Sequence, residues 1–414
     1  MHVTSVRRSP LGESPVCGTT GAIEGHGANP APARALAHRP HPPPMGPMDA
    51  ETEPAAKTRD STVVSSHARE LSAQPETALQ LSARERLHRI VKARPLRIGV
   101  VSGLGYRNVK GSLERTSAHL RTLPDIPHHV VESPEDVSTT LDSYEAAGVD
   151  IIGVSGGDGT VSMVATHLLT RWKSPTPPLV AVLRGGRTNM TASDVGMKGN
   201  QVGALKRLLA WTENPDIDAA SLIERPCIGV GSPGHAPSCG FFVGGGAIYQ
   251  GSLDTWRFRD ASKVPGMRTG LGTAANVAQL VGKHLWSRSA FAPTDATFTV
   301  DGEGPKERSW CVFMATTLNR LALGIDPFWS GNTEPIRMTA VAQEHKKLLR
   351  GGLVGVWGRR NRHLTERNGY YTYGGRRIHL ALPEGGVTLD GEVIKPVNGD
   401  LRMGVAGNLT FIVV

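Results

Sequence analysis

No stretch of about 18 apolar residues occurs anywhere in the 414-residue chain, so no spanning helix is expected. Arg7 and Arg8 have no apolar run behind them, which removes the pattern of a secretory leader, and a cytoplasmic protein is the expectation. Cysteine is scarce: Cys17, Cys227, Cys239 and Cys311 stand far apart and form neither a disulfide lattice nor a metal clasp, which fits a reducing compartment. Aromatic residues make up 5% of the chain, and none precedes Tyr106. GxxxxGK[ST], HRD and DFG strings are absent, which argues against a Walker-type ATPase and a protein kinase. Recognition-helix, zinc-finger and basic-zipper patterns are lacking too, so the net charge of +9 is read as attraction to anionic lipid or phosphate and not to nucleic acid.

What is present has the texture of a globular body, with 39% hydrophobic and 20% charged residues. Ten of the 29 prolines fall before position 55, and residues 1–75 read as a disordered tail, with Met45 or Met48 as an alternative start. Leu79, Ala83, Leu87, Ile90 and Val91 then fall at helical spacing and predict a leading helix over 76–93. From Leu96 short apolar runs alternate with helical stretches: Leu96–Val101, Leu113–Leu120, His129–Val131, a helix from Pro134 capped by Ser133, Val149–Val154, Leu179–Leu183, and a helix around Val202–Trp211. All-apolar strands alternating with helices imply a parallel sheet covered on both faces, hence an open doubly wound α/β nucleotide-binding domain over 94–220. Beyond Ser221 short strand-like pieces predict a β-rich second domain over 221–396, with helical excursions near Thr273–Leu285 and Ile336–Leu349.

Two glycine turns carry the chemistry. Val154-Ser155-Gly156-Gly157-Asp158-Gly159-Thr160 stands between an apolar strand and a helix, where glycine lets backbone approach a phosphate and the helix start offers free amides. A carboxylate at Asp158 would repel a triphosphate unless Mg²⁺ or water lies between them, so it points to a metal–nucleotide complex; a ligand-free βα turn is the other reading of the same residues. The second turn, Arg184-Gly185-Gly186-Arg187-Thr188-Asn189, also follows an apolar strand, and Ser102 and Gly103 after the first strand would supply a third side of one crevice. Gly229, Gly231 and Gly234 match GxGxxG by letter only, since Pro233 and Pro237 prevent the required helix.

These turns, Asn189 and the late Leu389-Asp390-Gly391-Glu392 resemble the catalytic domain of the diacylglycerol kinase and sphingosine kinase family, which is similar in its nucleotide domain to NAD kinases. The likeness covers roughly Leu96–Val414. It implies an ATP site at Ser102, Gly103, Gly156–Thr160 and Gly186–Asn189, with Asp158 organising Mg²⁺ directly or through water. Also implied are a β-sandwich second domain, a lipid alcohol in the interdomain cleft, Asp390 as the base for its hydroxyl, Glu392 nearby for metal or water, and strands at 397–414 returning to the first domain. Asp-Gly is equally a hairpin signal, and its near copy Asp301-Gly302-Glu303 is read as a plain turn. Three departures stand out. Val100 and Val101 replace the family's Asn-Pro; Arg187 and Met190 replace Thr and Asp, with Arg187 expected on a nucleotide phosphate; and Leu321–Trp329 lacks the acidic segment of a structural Mg²⁺, so no second metal is expected. The alternatives left open are a kinase of a soluble alcohol and a nucleotide- and lipid-binding module without catalysis. Lys346, Lys347, Arg350, Arg359, Arg360, Arg362, Arg367, Arg376 and Arg377, interleaved with leucines and Trp357, read either as a solvated face or as a contact with an anionic membrane surface.

Overall fold

A computed structural model of the chain describes residues 75–104, 111–186, 188–253, 292–304, 306–321, 325–329, 331, 333–347 and 361–414. The expected tail, the Thr273–Leu285 helix, Arg187 and residues 348–360 of the basic region lie outside them.

Strands β1 (Ile98–Gly103), β2 (His128–Val131), β3 (Ile151–Gly156) and β4 (Leu179–Arg184) are parallel, in the order β4-β3-β1-β2. Their side chains are apolar on both faces because helices cover both. On one face Val101, Val154 and Val182 meet α3 (Pro134–Ala146), α4 (Asp158–Thr170) and α5 (Met190–Val195). On the other, Ile98, Val100 and Leu183 meet α1 (Pro75–Ala93), α2 (Ser112–Leu120) and α6 (Gln201–Glu213). Ser133 caps α3 as read, and with Asp136 it forms a reciprocal capping box; Asn200 caps α6.

The sheet continues past residue 220. β5 (Ser221–Gly231) pairs antiparallel with β15 (Asp400–Val413) along its length, and β15 also pairs with β4, Phe411 opposite Val180. From β15 the order runs through β12 (Arg377–Ala381), β8 (Thr294–Val300), β9 (Lys306–Thr316), β7 (Phe242–Gly246) and β13 (Val387–Leu389) to β14 (Glu392–Ile394). β6 (Ser238–Gly240) pairs with β5. Phe298, Trp310, Phe313 and Tyr371 pack edge to face and tilted inside this β-rich region. The mixed α/β core with a β-rich region behind it is thus the fold read from the sequence.

One expectation is corrected. Ile336–Ala342, read as the start of a helix, is strand β10, bonded to β9 on one side and to β11 (Tyr370–Gly375) on the other. Ile336, Met338, Ala340 and Ala342 are buried at period two, and pairing on both sides holds this segment as strand, while residues 343–347 beyond it are turn and irregular. Gly229 and Gly231 lie in β5, so the GxGxxG letters are a strand.

His167 of α4 is 2% exposed, its Nε2 lies 3.6 Å from Asp142 Oδ1, and neither ring nitrogen has a hydrogen-bond partner among the described residues. Burial lowers its pKa; the Asp142 charge opposes but does not win, because that carboxylate is exposed. A histidine depressed in the folded state favours the neutral form, so its stabilisation is present above the ordinary value of about 6.5 and is lost as pH falls through the folded value. Urea midpoints are therefore expected to fall between pH 7 and pH 5 more steeply for the wild type than for His167→Phe. Parallel curves would remove His167 from the acid sensitivity.

Candidate active site

Because β3 and β4 are adjacent, the two glycine turns come off neighbouring strand tips. Gly156 is in register with Arg184, and the Gly185 amide donates to Gly156 O at 3.0 Å. The turns touch backbone to backbone: a Cβ at Gly186 would stand 2.5 Å from Gly157 Cα, and one at Gly185 would stand 2.9 Å from Gly156 N. Asn189 fixes the second turn. It adopts φ 49°, which Asn tolerates, accepts from the Gly186 amide at 2.8 Å and donates to Gly186 O at 2.7 Å.

Asp158 opens α4 but acts across the crevice. Its Oδ2 accepts from the Met190 amide at 3.1 Å and its Oδ1 from Thr191 at 2.9 Å, so it caps α5, whose own N-cap Asn189 makes no side-chain cap. Burial raises its pKa, and those amides pull the other way. Gly157 gives α4 no side-chain cap, while the Thr160 amide turns back to Gly157 O at 3.0 Å. Thr160, 7% exposed, wedges between β1 and β3, its Oγ1 2.6 Å from where a Gly156 Cβ would be, and Gly103 lies against the same side chain. Ser102, by contrast, is fully buried, with Oγ 2.9 Å from His128 Nε2. Thr188 is half-buried.

Asp390 arrives from 232 residues along the chain, on the hairpin joining β13 to β14, where Asp390 (φ 50°) and Gly391 (φ 92°) make the turn. Its carboxylate is buried and accepts from the amides of Phe241 at 2.9 Å and Phe242 at 3.0 Å. Burial raises its pKa well above the ordinary carboxylate value, with the nearby charge of Asp158 adding to the effect and the two amides opposing it. Glu392 is exposed and places Oε1 3.1 Å from where a Cβ on Gly159 would be, at the start of α4. Asp301 has the same hairpin conformation (φ 50°) and likewise accepts from two amides, those of Arg376 and Arg377, but in an exposed turn.

The glycine turns, Thr160, Asp158, Asp390 and Glu392 therefore meet at one place, with Gly103 beside them and Ser102 facing inward. Sequence reasoning missed Ser162 and Thr166, which bind β6 to α4: Ser162 Oγ donates to Cys239 O at 2.8 Å, and Cys239 N donates to Thr166 Oγ1 at 2.8 Å. Their signal was two hydroxyls at i, i+4 beside the apolar Val161, Val164 and Leu168 stripe. Among the described residues no group of three or more His, Cys, Asp or Glu side chains is arranged to hold a metal ion. Mg²⁺ bound as a nucleotide complex needs only one or two carboxylates besides phosphate and water, and Asp158 with Glu392 would fit that lesser demand.

Residues 102–220 match the diacylglycerol kinase catalytic domain. A candidate diacylglycerol kinase from Bacillus anthracis str. Sterne shares the fold, with TM-score 0.51 and 17% identity over 77% of this chain and 96% of that one. A second diacylglycerol kinase structure from the same organism aligns with TM-score 0.47 and 16% identity over 78% of this chain and 97% of that one. No curated protein matches the chain. The two turns, Asp158 and Thr160 all fall inside the segment, residues 102–220, that matches the diacylglycerol kinase catalytic domain.

Proposed function

We propose that the protein is an ATP-dependent lipid kinase, transferring the γ-phosphate of MgATP to the hydroxyl of a diacylglycerol-like, sphingoid or related lipid alcohol. The observation that carries this reading is the buried Asp390 carboxylate beside the paired glycine turns. A carboxylate kept basic by burial and by the nearby charge of Asp158 suits a reaction that needs positioning, charge neutralisation and one proton acceptor. In this reading residues 94–220 bind nucleotide and 221–396 receive the acceptor. Gly156–Thr160 and Gly186–Asn189 cradle the phosphates, with Arg187 contributing its cation and Ser102 and Gly103 bordering the site. Bound Mg²⁺ would neutralise phosphate charge, held by Asp158 through water, since both Asp158 oxygens already accept amides, and by Glu392. Asp390 takes the acceptor proton, and the Phe241 and Phe242 amides hold its carboxylate in place.

No helix among the described residues is long and apolar enough to cross a membrane, so we infer that the acceptor is reached at a membrane surface, through basic residues such as Arg362, Arg367, Arg376 and Arg377. The test is transfer of labelled phosphate from ATP to a total lipid extract, presented in vesicles with and without anionic lipid. One labelled phospholipid, formed faster on anionic vesicles, is expected. Label confined to a soluble alcohol would overturn the lipid reading, and equal rates on both vesicles the membrane contact.

A further inference from the structure

The last rung of β1 and β3 before their glycines is polar, although the rungs below it are not. Ser102 and Ser155 are register partners on one face of the sheet, the face that carries Val100 and Ile98 further down. They are 0% and 1% exposed. Each is held from outside: Ser102 Oγ lies 2.9 Å from His128 Nε2 on the edge strand β2, and Ser155 Oγ accepts from Nε2 of Gln201, the 5%-exposed first residue of α6. A row of four polar side chains, His128, Ser102, Ser155 and Gln201, thus crosses the sheet directly beneath Gly103 and Gly156.

Apolar residues would fill such a rung at lower cost, because a buried hydroxyl is tolerated only when hydrogen-bonded. What the row supplies is direction. Hydrogen bonds fix the strand tips laterally, where aliphatic side chains would let them slide. On the opposite face Thr160 wedges against Gly103 and Gly156, so both tips are gripped from two sides. Gln201 also reaches the second turn, its Nε2 2.7 Å from where a Cβ on Gly185 would be. One side chain therefore touches the supports of both bends.

We propose that His128 and Gln201 are positioning residues of the nucleotide site: through Ser102 and Ser155 they set the spacing of the β1, β3 and β4 tips that receive the phosphates. This rests on the kinase reading above. The test measures MgATP binding by calorimetry, together with KM for ATP and kcat, on the full chain and on Gln201→Met, His128→Leu and His128→Gln. Gln201→Met and His128→Leu are expected to weaken nucleotide binding and raise KM about tenfold, the effect of one lost hydrogen bond of support, with kcat at saturating ATP unchanged. His128→Gln, which restores a polar atom near the Nε2 position, is expected to recover most of the loss. If the wild type binds MgATP and the two apolar variants bind it equally well, losing only melting temperature, the row is structural and the proposal is wrong. If the wild type itself binds no nucleotide, the kinase reading falls and the proposal with it.

Discussion

Asp390→Asn is expected to lower acceptor-dependent ADP release about a thousandfold while MgATP still binds, the loss typical of removing a general base. The substitution keeps the hairpin but removes the charge, and it sets an NH₂ group against one of the amides of Phe241 and Phe242. That mismatch costs about 1–3 kcal/mol of stability, so rates must be scaled to the nucleotide-binding fraction. Asp301→Asn is the control: the same turn conformation and likewise two backbone donors, those of Arg376 and Arg377, but an exposed carboxylate and no expected change in rate. Because burial and the Asp158 charge raise the Asp390 pKa, wild-type transfer should fall as pH drops through that raised value, at a higher pH than an ordinary carboxylate would give, and recover above it. Retention of a tenth or more of the activity in Asp390→Asn would exclude Asp390 as the proton acceptor.

Gly186→Ala should have the second large effect. The added methyl would stand 2.5 Å from Gly157 Cα, and a backbone atom cannot swing aside as a side-chain end can. The turns must part, which moves the amides of both; a displacement of about 1 Å at such a site costs on the order of a hundredfold. The expected result is a hundredfold weaker MgATP affinity with a lowered melting temperature. Gly304→Ala, with nothing within 4 Å of the new atom, should change neither. Unchanged affinity in Gly186→Ala would mean that nucleotide does not use the junction of the turns.

How much of this was legible in the sequence depended on distance along the chain. β1, β3 and β4 were readable because strands covered on both faces become apolar runs, and the Ser133 and Asn200 caps act within three residues. Ile336–Ala342 was misread because its strand character depends on β9 and β11 pairing it from both sides. At the site the residue types were readable and their partners were not. Asp158 suggests a metal from its place in a phosphate-type turn, yet its visible work is capping α5, 32 and 33 residues onward. Asp390 and Asp301 share a dipeptide and a turn geometry; what distinguishes them is burial against Phe241, 149 residues upstream, which no local pattern encodes. Ser102 was assigned to the crevice from its neighbour Gly103, and the inward orientation of its hydroxyl follows from His128, a partner from the edge strand.

The placement of β15 has a consequence for how the molecule comes into being. It is the only described strand bridging β4 to β12, and its Phe411 must find Val180 across more than half of the chain. During synthesis the parallel strands emerge long before that partner, leaving the β4 edge unpaired until Phe411 has been made. Contacts this remote in sequence make for slow maturation and a window of aggregation risk, so growth at lower temperature should raise the soluble yield, and deletions trimming 409–413 should abolish it.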